Sequence, residues 1–196
     1  MSEAVEGTIS SDHLAARAGV NAAQVRKDLS HLGSYGTRGV GYDVAYLVHE
    51  INKELGLTTD RRVAIVGVGN LGHALVRYGG FADRGFQIVA AFDIDPNTVG
   101  RRVGALVVQP MASLAEVIQG KEVDMALLTT PAPVAQDVTD ALVAAGVRSI
   151  LNFAPVRLRA APGVTVRQVD LGVELQILSY YGTRSAGLDP VVASGA

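Results

Sequence analysis

The stretch that most constrains the fold is Gly67-Val68-Gly69-Asn70-Leu71-Gly72. It follows a short apolar run, Arg62 to Val66. It opens a segment, Asn70 to Tyr78, whose Leu71, Ala74, Leu75 and Tyr78 recur at helical spacing. A strand that turns on glycine into a helix is the phosphate turn of a dinucleotide-binding unit. The first glycine permits the tight turn, the second lets backbone approach a pyrophosphate, and the third lets helix and strand pack closely. The helix start then offers unpaired N–H groups to the phosphates. A lone pattern of this kind is weak in a chain with 22 glycines, so the context matters. A second apolar strand, Gln87 to Phe92, closes on Asp93 at the expected distance of about 20 residues. An acid there accepts the adenosine ribose hydroxyls and repels a 2′-phosphate, which favours NADH and NAD+ over their phosphorylated forms. Arg101 and Arg102 lie beyond that strand end. The alternative is a turn that keeps its shape and binds nothing.

The rest of residues 61–153 continues the alternation. Val103 to Val108 reads as a third strand and Ser113 to Ile118 as a short helix. Asp124 to Thr130 is a strand running into Pro131, Pro133 to Ala145 a helix stopped by Gly146, and Ser149 to Phe153 a fifth strand. Continuous apolar strands separated by helices imply an α/β, Rossmann-type parallel sheet covered on both faces. Val164 to Val169 alternates like a further strand. Leu171 to Tyr181 then forms one helix carrying Leu171, Val173, Leu175, Ile177, Leu178 and Tyr181, too many for a single stripe. Such a helix is expected to be buried on several sides, either by another subunit or by its own sheet, and the chain to fray from Gly182. The division expected is 1–57, 61–170 and 171–183.

Bulk properties narrow the classes. With 196 residues, 48% hydrophobic, the chain suits one full domain and a small module. It has no Cys, which excludes disulfides and thiolate metal sites. The acidic start lacks the pattern of a signal peptide, and the longest apolar runs, such as Ile88 to Phe92, are strand-sized. A soluble, cytoplasmic protein is expected. Catalysis finds little support. None of the six Tyr is followed by Lys four residues on, and His13, His31, His49 and His73 share no metal-ligand spacing. Neither a catalytic residue nor a metal is expected, and the cofactor is expected to be sensed rather than consumed.

Residues 1–60 differ in character. Ser10 or Ser11 caps a helix through Ala18, and Asn21 caps a second, Ala22 to Leu32, ended by Gly33. Two short helices joined at Gly19-Val20-Asn21 look like a helix-turn-helix. Gly33 to Tyr42 then makes a glycine-rich turn or hairpin, and Asp43 caps a third helix, Val44 to Leu55. Gln24, Arg26, Lys27 and Ser30 on the second helix are donors suited to phosphates and base edges. Tyr35, Thr37 and Arg38 in the hairpin are placed to follow a DNA backbone or enter a minor groove. Residues 1–60 hold five Arg or Lys against eight Asp or Glu, so DNA contact has to come from a local arrangement of charge. The plain alternative is a solvated helix face and a structural loop.

Taken in order, several segments resemble one family. Gln24-Val-Arg-Lys-Asp-Leu-Ser30 and Gly33-Ser-Tyr-Gly-Thr-Arg-Gly-Val-Gly-Tyr42 are similar to the Rex family of redox-sensing transcriptional repressors. So are Ile65 to Gly72, Phe92-Asp-Ile-Asp95, Ile150-Leu-Asn-Phe-Ala-Pro155 and Val169-Asp170. The resemblance implies a homodimer with a winged-helix domain, a Rossmann domain and an exchanged C-terminal helix. It implies binding to palindromic operator DNA when NADH is scarce and release by NADH. Arg26 and Lys27 would then lie on the recognition helix and Arg38 in the wing. Gly67, Val68, Gly69, Asn70, Leu71, Gly72, Thr130 and Pro131 would hold the cofactor and Asp93 its ribose. Tyr78 and Asp170 match family positions that respond to NADH. The family's further helix ahead of Thr8-Ile9 is expected to be missing here. Two other functions stay open on the residues alone. One is a small NAD-dependent dehydrogenase or CoA-binding ligase subunit; the other is a scaffold with a vestigial cofactor.

Overall fold

The computed structural model describes residues 7–33, 36–37 and 39–185. The chain divides into two compact units, one ending at Asp60 and the other starting at Arg61.

In the first unit, β1 (Thr8–Ile9) pairs antiparallel with β2 (Tyr42–Asp43), Ile9 opposite Tyr42. Between them run α1 (Ser11–Ala18) and α2 (Ala22–His31), and α3 (Val44–Glu54) follows β2. Each helix starts on a side-chain cap. Ser10 accepts from the His13 N–H, Asn21 from that of Gln24 and Asp43 from that of Tyr46. The small core gathers Ala15, Val25, Leu29, Tyr42 and Leu47. Val25 and Leu29, one helical turn apart, turn α2 inward and leave Gln24, Arg26, Lys27 and Ser30 exposed on its outer side. Within the expected hairpin, Thr37 and Gly41 close a tight turn by exchanging backbone hydrogen bonds of 2.8 and 2.9 Å. Tyr35 and Arg38 lie outside the described residues.

The second unit is built on a six-stranded, fully parallel sheet. Its strands are β3 (Arg61–Val66), β4 (Phe86–Asp93), β7 (Gln109–Pro110), β8 (Met125–Leu128), β9 (Ser149–Asn152) and β10 (Thr165–Gln168). They lie in the order β10-β9-β8-β3-β4-β7. The sequence order reverses between β3 and β8, which makes the crevice at their carboxyl ends the switch point of a doubly wound sheet. The connections include α4 (Asn70–Val76), α5 (Leu114–Gly120) and α6 (Ala132–Ala145), and the helix α7 (Leu171–Ser185) follows β10.

Alternate residues of β3 point to opposite faces. Ala64 and Val66 join Phe92, Leu128, Leu142 and Ile118 in the main core under α5 and α6. Val63 and Ile65 face the other way with Leu127. Among the described residues that second face is incompletely covered. A groove of about 620 Å³ runs along it, lined by apolar side chains such as Phe81, Phe86, Ile88 and Leu151, with Arg84 and Arg167 as its cations.

Three elements depart from expectation. Val103 to Val108 is not one strand. It folds into an antiparallel hairpin of β5 (Arg102–Val103) and β6 (Leu106–Val107) around Gly104, whose φ of +59° makes the turn. The chain rejoins the main sheet only at β7. The helix after the glycine turn stops at Val76 rather than Tyr78. Tyr78 instead leads into a 3-10 helix over Gly79–Arg84, where two successive glycines weaken continued α-helix. Finally, α7 runs on through Gly182 to Ser185.

Candidate functional site

The glycine turn sits at the switch point, between the ends of β4 and β8. Gly67 has φ +93°, and a Cβ on it would stand 2.8 Å from the Thr129 carbonyl oxygen. A Cβ on Gly72 would overlap the Gly67 carbonyl oxygen and come within 2.9 Å of Thr129 Oγ1. Gly69 is different, because a Cβ there would meet nothing within 4 Å. Two of the three glycines are therefore demanded by the protein itself. The third leaves open space, as a backbone that meets a ligand requires.

Asp93 ends β4 and reaches back into the turn. Its Oδ2 accepts the Val68 N–H at 2.6 Å, and its Oδ1 accepts the Asp95 N–H at 2.9 Å. Each carboxylate oxygen keeps a further acceptor site for a ribose hydroxyl. Asp95 accepts from the Asn97 N–H and from the Thr98 hydroxyl. The Asn97 backbone N–H holds the Asp95 carboxyl below its ordinary value of 3.8, with Arg101 adding a smaller attraction. On α4 the first helical hydrogen bond runs from the His73 N–H to the Gly69 carbonyl, so the N–H groups of Asn70, Leu71 and Gly72 have no intrahelical acceptor.

These groups border a cavity of about 540 Å³ lined by Gly67, Val68, Gly69, Asp93, Thr130 and Pro131, within the size range of small-molecule sites. Thr130 Oγ1 is buried there and has no hydrogen-bond partner. A buried hydroxyl left unpaired in a concave site is what a polar ligand would satisfy. The donor set fits a dinucleotide: an open glycine backbone for the pyrophosphate, an acid for the ribose and an unpaired hydroxyl beside them.

Of the expected cofactor residues, six line this cavity. Asn70 and Leu71 form the exposed first turn of α4, and Gly72 is buried against the turn. Tyr78 instead lines the apolar groove and packs edge-on against Phe81, with ring centroids 5.0 Å apart. Asp170 lines neither cavity. Its Oδ1 accepts the N–H groups of Gly172 and Val173 at 2.9 and 3.2 Å, which caps α7. Sequence reasoning passed over Thr129, whose hydroxyl donates to the Gly67 carbonyl at 2.5 Å. Gly72, the last glycine of the motif, gave a partial signal, since it implies that something packs tightly against the turn.

On α2, Arg26 Nη1 donates to Ser11 Oγ at 2.9 Å, which braces the guanidinium against α1. Gln24 Nε2 donates to Asp28 Oδ1, and Ser30 Oγ to the Lys27 carbonyl. Arg26 and Lys27 are adjacent and exposed on one short helix. Among the described residues no cluster of three His, Asp or Glu is arranged to hold a metal, and no helix is long and apolar enough to cross a membrane.

The family model described as "CoA binding domain" matches residues 58–156, and one described as "Putative DNA-binding protein N-terminus" matches residues 1–30. The chain is 56% identical over 196 residues to the redox-sensing transcriptional repressor Rex of Streptomyces avermitilis, covering all of this chain and 77% of that protein. It is 48% identical over 180 residues to Rex of Desulfitobacterium hafniense, covering 91% of this chain and 86% of that one. Among solved structures it resembles RSP in complex with β-NAD+ and operator DNA, with a TM-score of 0.88 at 33% identity over 98% of this chain and 88% of that one. It also resembles RSP in complex with β-NADH, with a TM-score of 0.79 at 33% identity over 92% of this chain and 84% of that one. The match to the Streptomyces avermitilis protein runs the full length of this chain, and the chain belongs to the Rex family of redox-sensing transcriptional repressors.

Proposed function

We propose that this chain represses transcription by binding operator DNA through α2 and the turn at Thr37–Gly41, and that NADH in the glycine cradle releases it. The carrying observation is the cavity at the switch point, where an open Gly69, the Asp93 carboxylate and the unpaired Thr130 hydroxyl meet. The complexes of RSP with NAD+ and operator DNA, and with NADH, support the same pairing of ligands. Gly67, Val68, Gly69 and the first amides of α4 hold the pyrophosphate, Asp93 the ribose, and Thr130 and Pro131 border the remainder. NAD+ and NADH differ in the charge and planarity of the nicotinamide ring. Regulation therefore requires that two states of the protein bind them with different affinity. Tyr78 and Asp170 are the residues assigned to that response. Asp170 is suited to it because its carboxylate also caps α7, so a change of partner there alters how the helix begins.

The repressor acts as a homodimer on a palindromic site. Every described side chain of α7 is exposed, Leu175, Leu178 and Tyr181 by 66%, 65% and 62%. A second copy's α7 lying in the apolar groove covers both surfaces. Two α2 helices related by a two-fold axis then address half-sites about one DNA turn apart.

The test is fluorescence anisotropy of a labelled palindromic operator at one stated salt concentration, titrated with NADH and separately with NAD+. Release by NADH at far lower concentration than NAD+ is the expected result. Tight DNA binding indifferent to both nucleotides would refute the sensing role. The matched domain model favours one second reading, a coenzyme A site. Displacement of NADH by coenzyme A, with no effect of NADH on DNA, would support it.

A further inference from the structure

We infer that Thr129 is a positioning residue for the nucleotide, acting through the single peptide group between Gly67 and Val68; this rests on the proposal that the glycine turn carries the pyrophosphate. That peptide is held at both ends. Thr129 Oγ1 donates to its carbonyl at 2.5 Å, and Asp93 Oδ2 accepts its N–H at 2.6 Å. One grip follows β8 and the other ends β4, the two strands that flank β3.

The grip is needed because Gly67 sits at φ +93° with no side chain to resist rotation. A rotation of this peptide would aim the Gly67 carbonyl into the cavity, where its partial negative charge would face the phosphate oxygens. The Thr129 hydroxyl selects the orientation with that carbonyl turned away. It has room to do so only because residue 72 is glycine, since a Cβ there would stand 2.9 Å from Thr129 Oγ1. The same hydroxyl lies 3.2 Å from the Val66 carbonyl, which places it against the last residue of β3 as well. Thr129 thereby sets the shape of the surface the pyrophosphate meets. Its neighbour Thr130 lines the cavity and carries a buried hydroxyl without a hydrogen-bond partner.

The test uses the full chain and isothermal titration with NADH, NAD+ and ADP-ribose, which share the pyrophosphate and differ beyond it. Thr129→Val replaces the hydroxyl by a methyl of similar size. It is expected to weaken all three ligands by the same factor, about tenfold, the size of one hydrogen bond's contribution to holding the binding-competent peptide orientation. Thr129→Ser, which keeps the hydroxyl, is expected to stay within about twofold of the unaltered chain. A merely structural threonine would lower the melting temperature and leave the affinity of the folded protein alone. If Thr129→Val fails to fold, Thr129→Ala against Thr129→Ser makes the same comparison. Wild-type affinity in the valine variant, equal weakness in the serine variant, or a loss confined to one ligand would each overturn the inference. It would leave the nucleotide site standing. An unaltered chain that binds none of the three would overturn both.

Discussion

Substituting Gly72 and Gly69 by alanine separates what the glycine turn does for the protein from what it does for a ligand. Alanine inside a helix gains about 1 kcal/mol over glycine from backbone entropy. At residue 72 that gain is opposed by a Cβ that overlaps the Gly67 carbonyl oxygen and crowds Thr129 Oγ1 at 2.9 Å. The obstacle is backbone, with no rotamer to escape into, so the cost lies at the upper end of overpacking, about 3 kcal/mol. The difference, about 2 kcal/mol of destabilisation, lowers the melting temperature of a domain this size by about 4–8 °C. The Gly67–Val68 peptide must move to make room, so NADH binding falls with it. At residue 69 the added Cβ meets nothing within 4 Å. Its stability cost is that of a poorer helix cap, within about 1 kcal/mol. With the pyrophosphate over Gly69, as proposed, the methyl takes up space at the cavity wall, so affinity is expected to drop at least about tenfold, as for a clash that displaces a charge-assisted hydrogen bond. Differential scanning fluorimetry and NADH titration on both variants give the four numbers. A Gly72→Ala chain as stable as the original, or a Gly69→Ala chain that binds NADH unchanged, would refute the steric reasoning.

Other outcomes follow from the same geometry. Asp93→Ala removes both the ribose acceptor and the hold on the Val68 N–H; NADH should weaken and its preference over NADPH shrink, read by competitive titration. Arg26→Ala should weaken operator binding by about 1–3 kcal/mol if it reads a base, whereas Lys27→Ala should lower the slope of log affinity against log salt by about 1 if it contacts a phosphate; anisotropy at four salt concentrations tells them apart. Leu175→Glu with Leu178→Glu places charge on exposed apolar positions of α7; light scattering should show the proposed dimer dissociating while each chain stays folded. Asn152→Ala strands the Ala154 N–H and the Gln168 Oε1, which Asn152 now satisfies at 2.9 and 2.6 Å; the loss of stability should be about 1–3 kcal/mol in urea unfolding.

The legible parts of the fold are those where local chemistry decides. Caps at Ser10, Asn21 and Asp43 start three helices as their side chains dictate. Continuous apolar strands separated by helices point to the parallel sheet, because a strand buried on both faces has no polar side to alternate with. The failures occur where a glycine competes with a hydrophobic pattern. The run Val103 to Val108 has the composition of a strand, but Gly104 folds it back on itself. The spacing through Tyr78 suits a helix, but Gly79 and Gly80 release the chain into a tighter turn. The order of strands in the sheet, which creates the switch point, is set by long-range packing that no local pattern encodes.

The site divides along the same line. The three glycines and Asp93 are visible because turn geometry and a fixed separation along the chain mark them, and the structure brings Gly67, Gly69 and Asp93 to one cavity with Gly72 packed beneath the turn. What joins them is a contact between the turn after β3 and a residue more than sixty positions later, Thr129 to Gly67. Threonine after an apolar strand carries no signal of its own. It acquires a role only when β8 is laid beside β3, parallel and in register from Val63 opposite Met125 to Val66 opposite Leu128. The register then places residue 129 opposite residue 67, its hydroxyl within reach of the Gly67 carbonyl. Asp93 makes the complementary bond because β4 runs parallel on the other side, with Phe92 opposite Val66. In the proposed site the turn motif lets a pyrophosphate approach, and the two neighbouring strands hold the direction of the Gly67–Val68 peptide. A dinucleotide turn moved to a sheet with other neighbours would keep its glycines and lose that control.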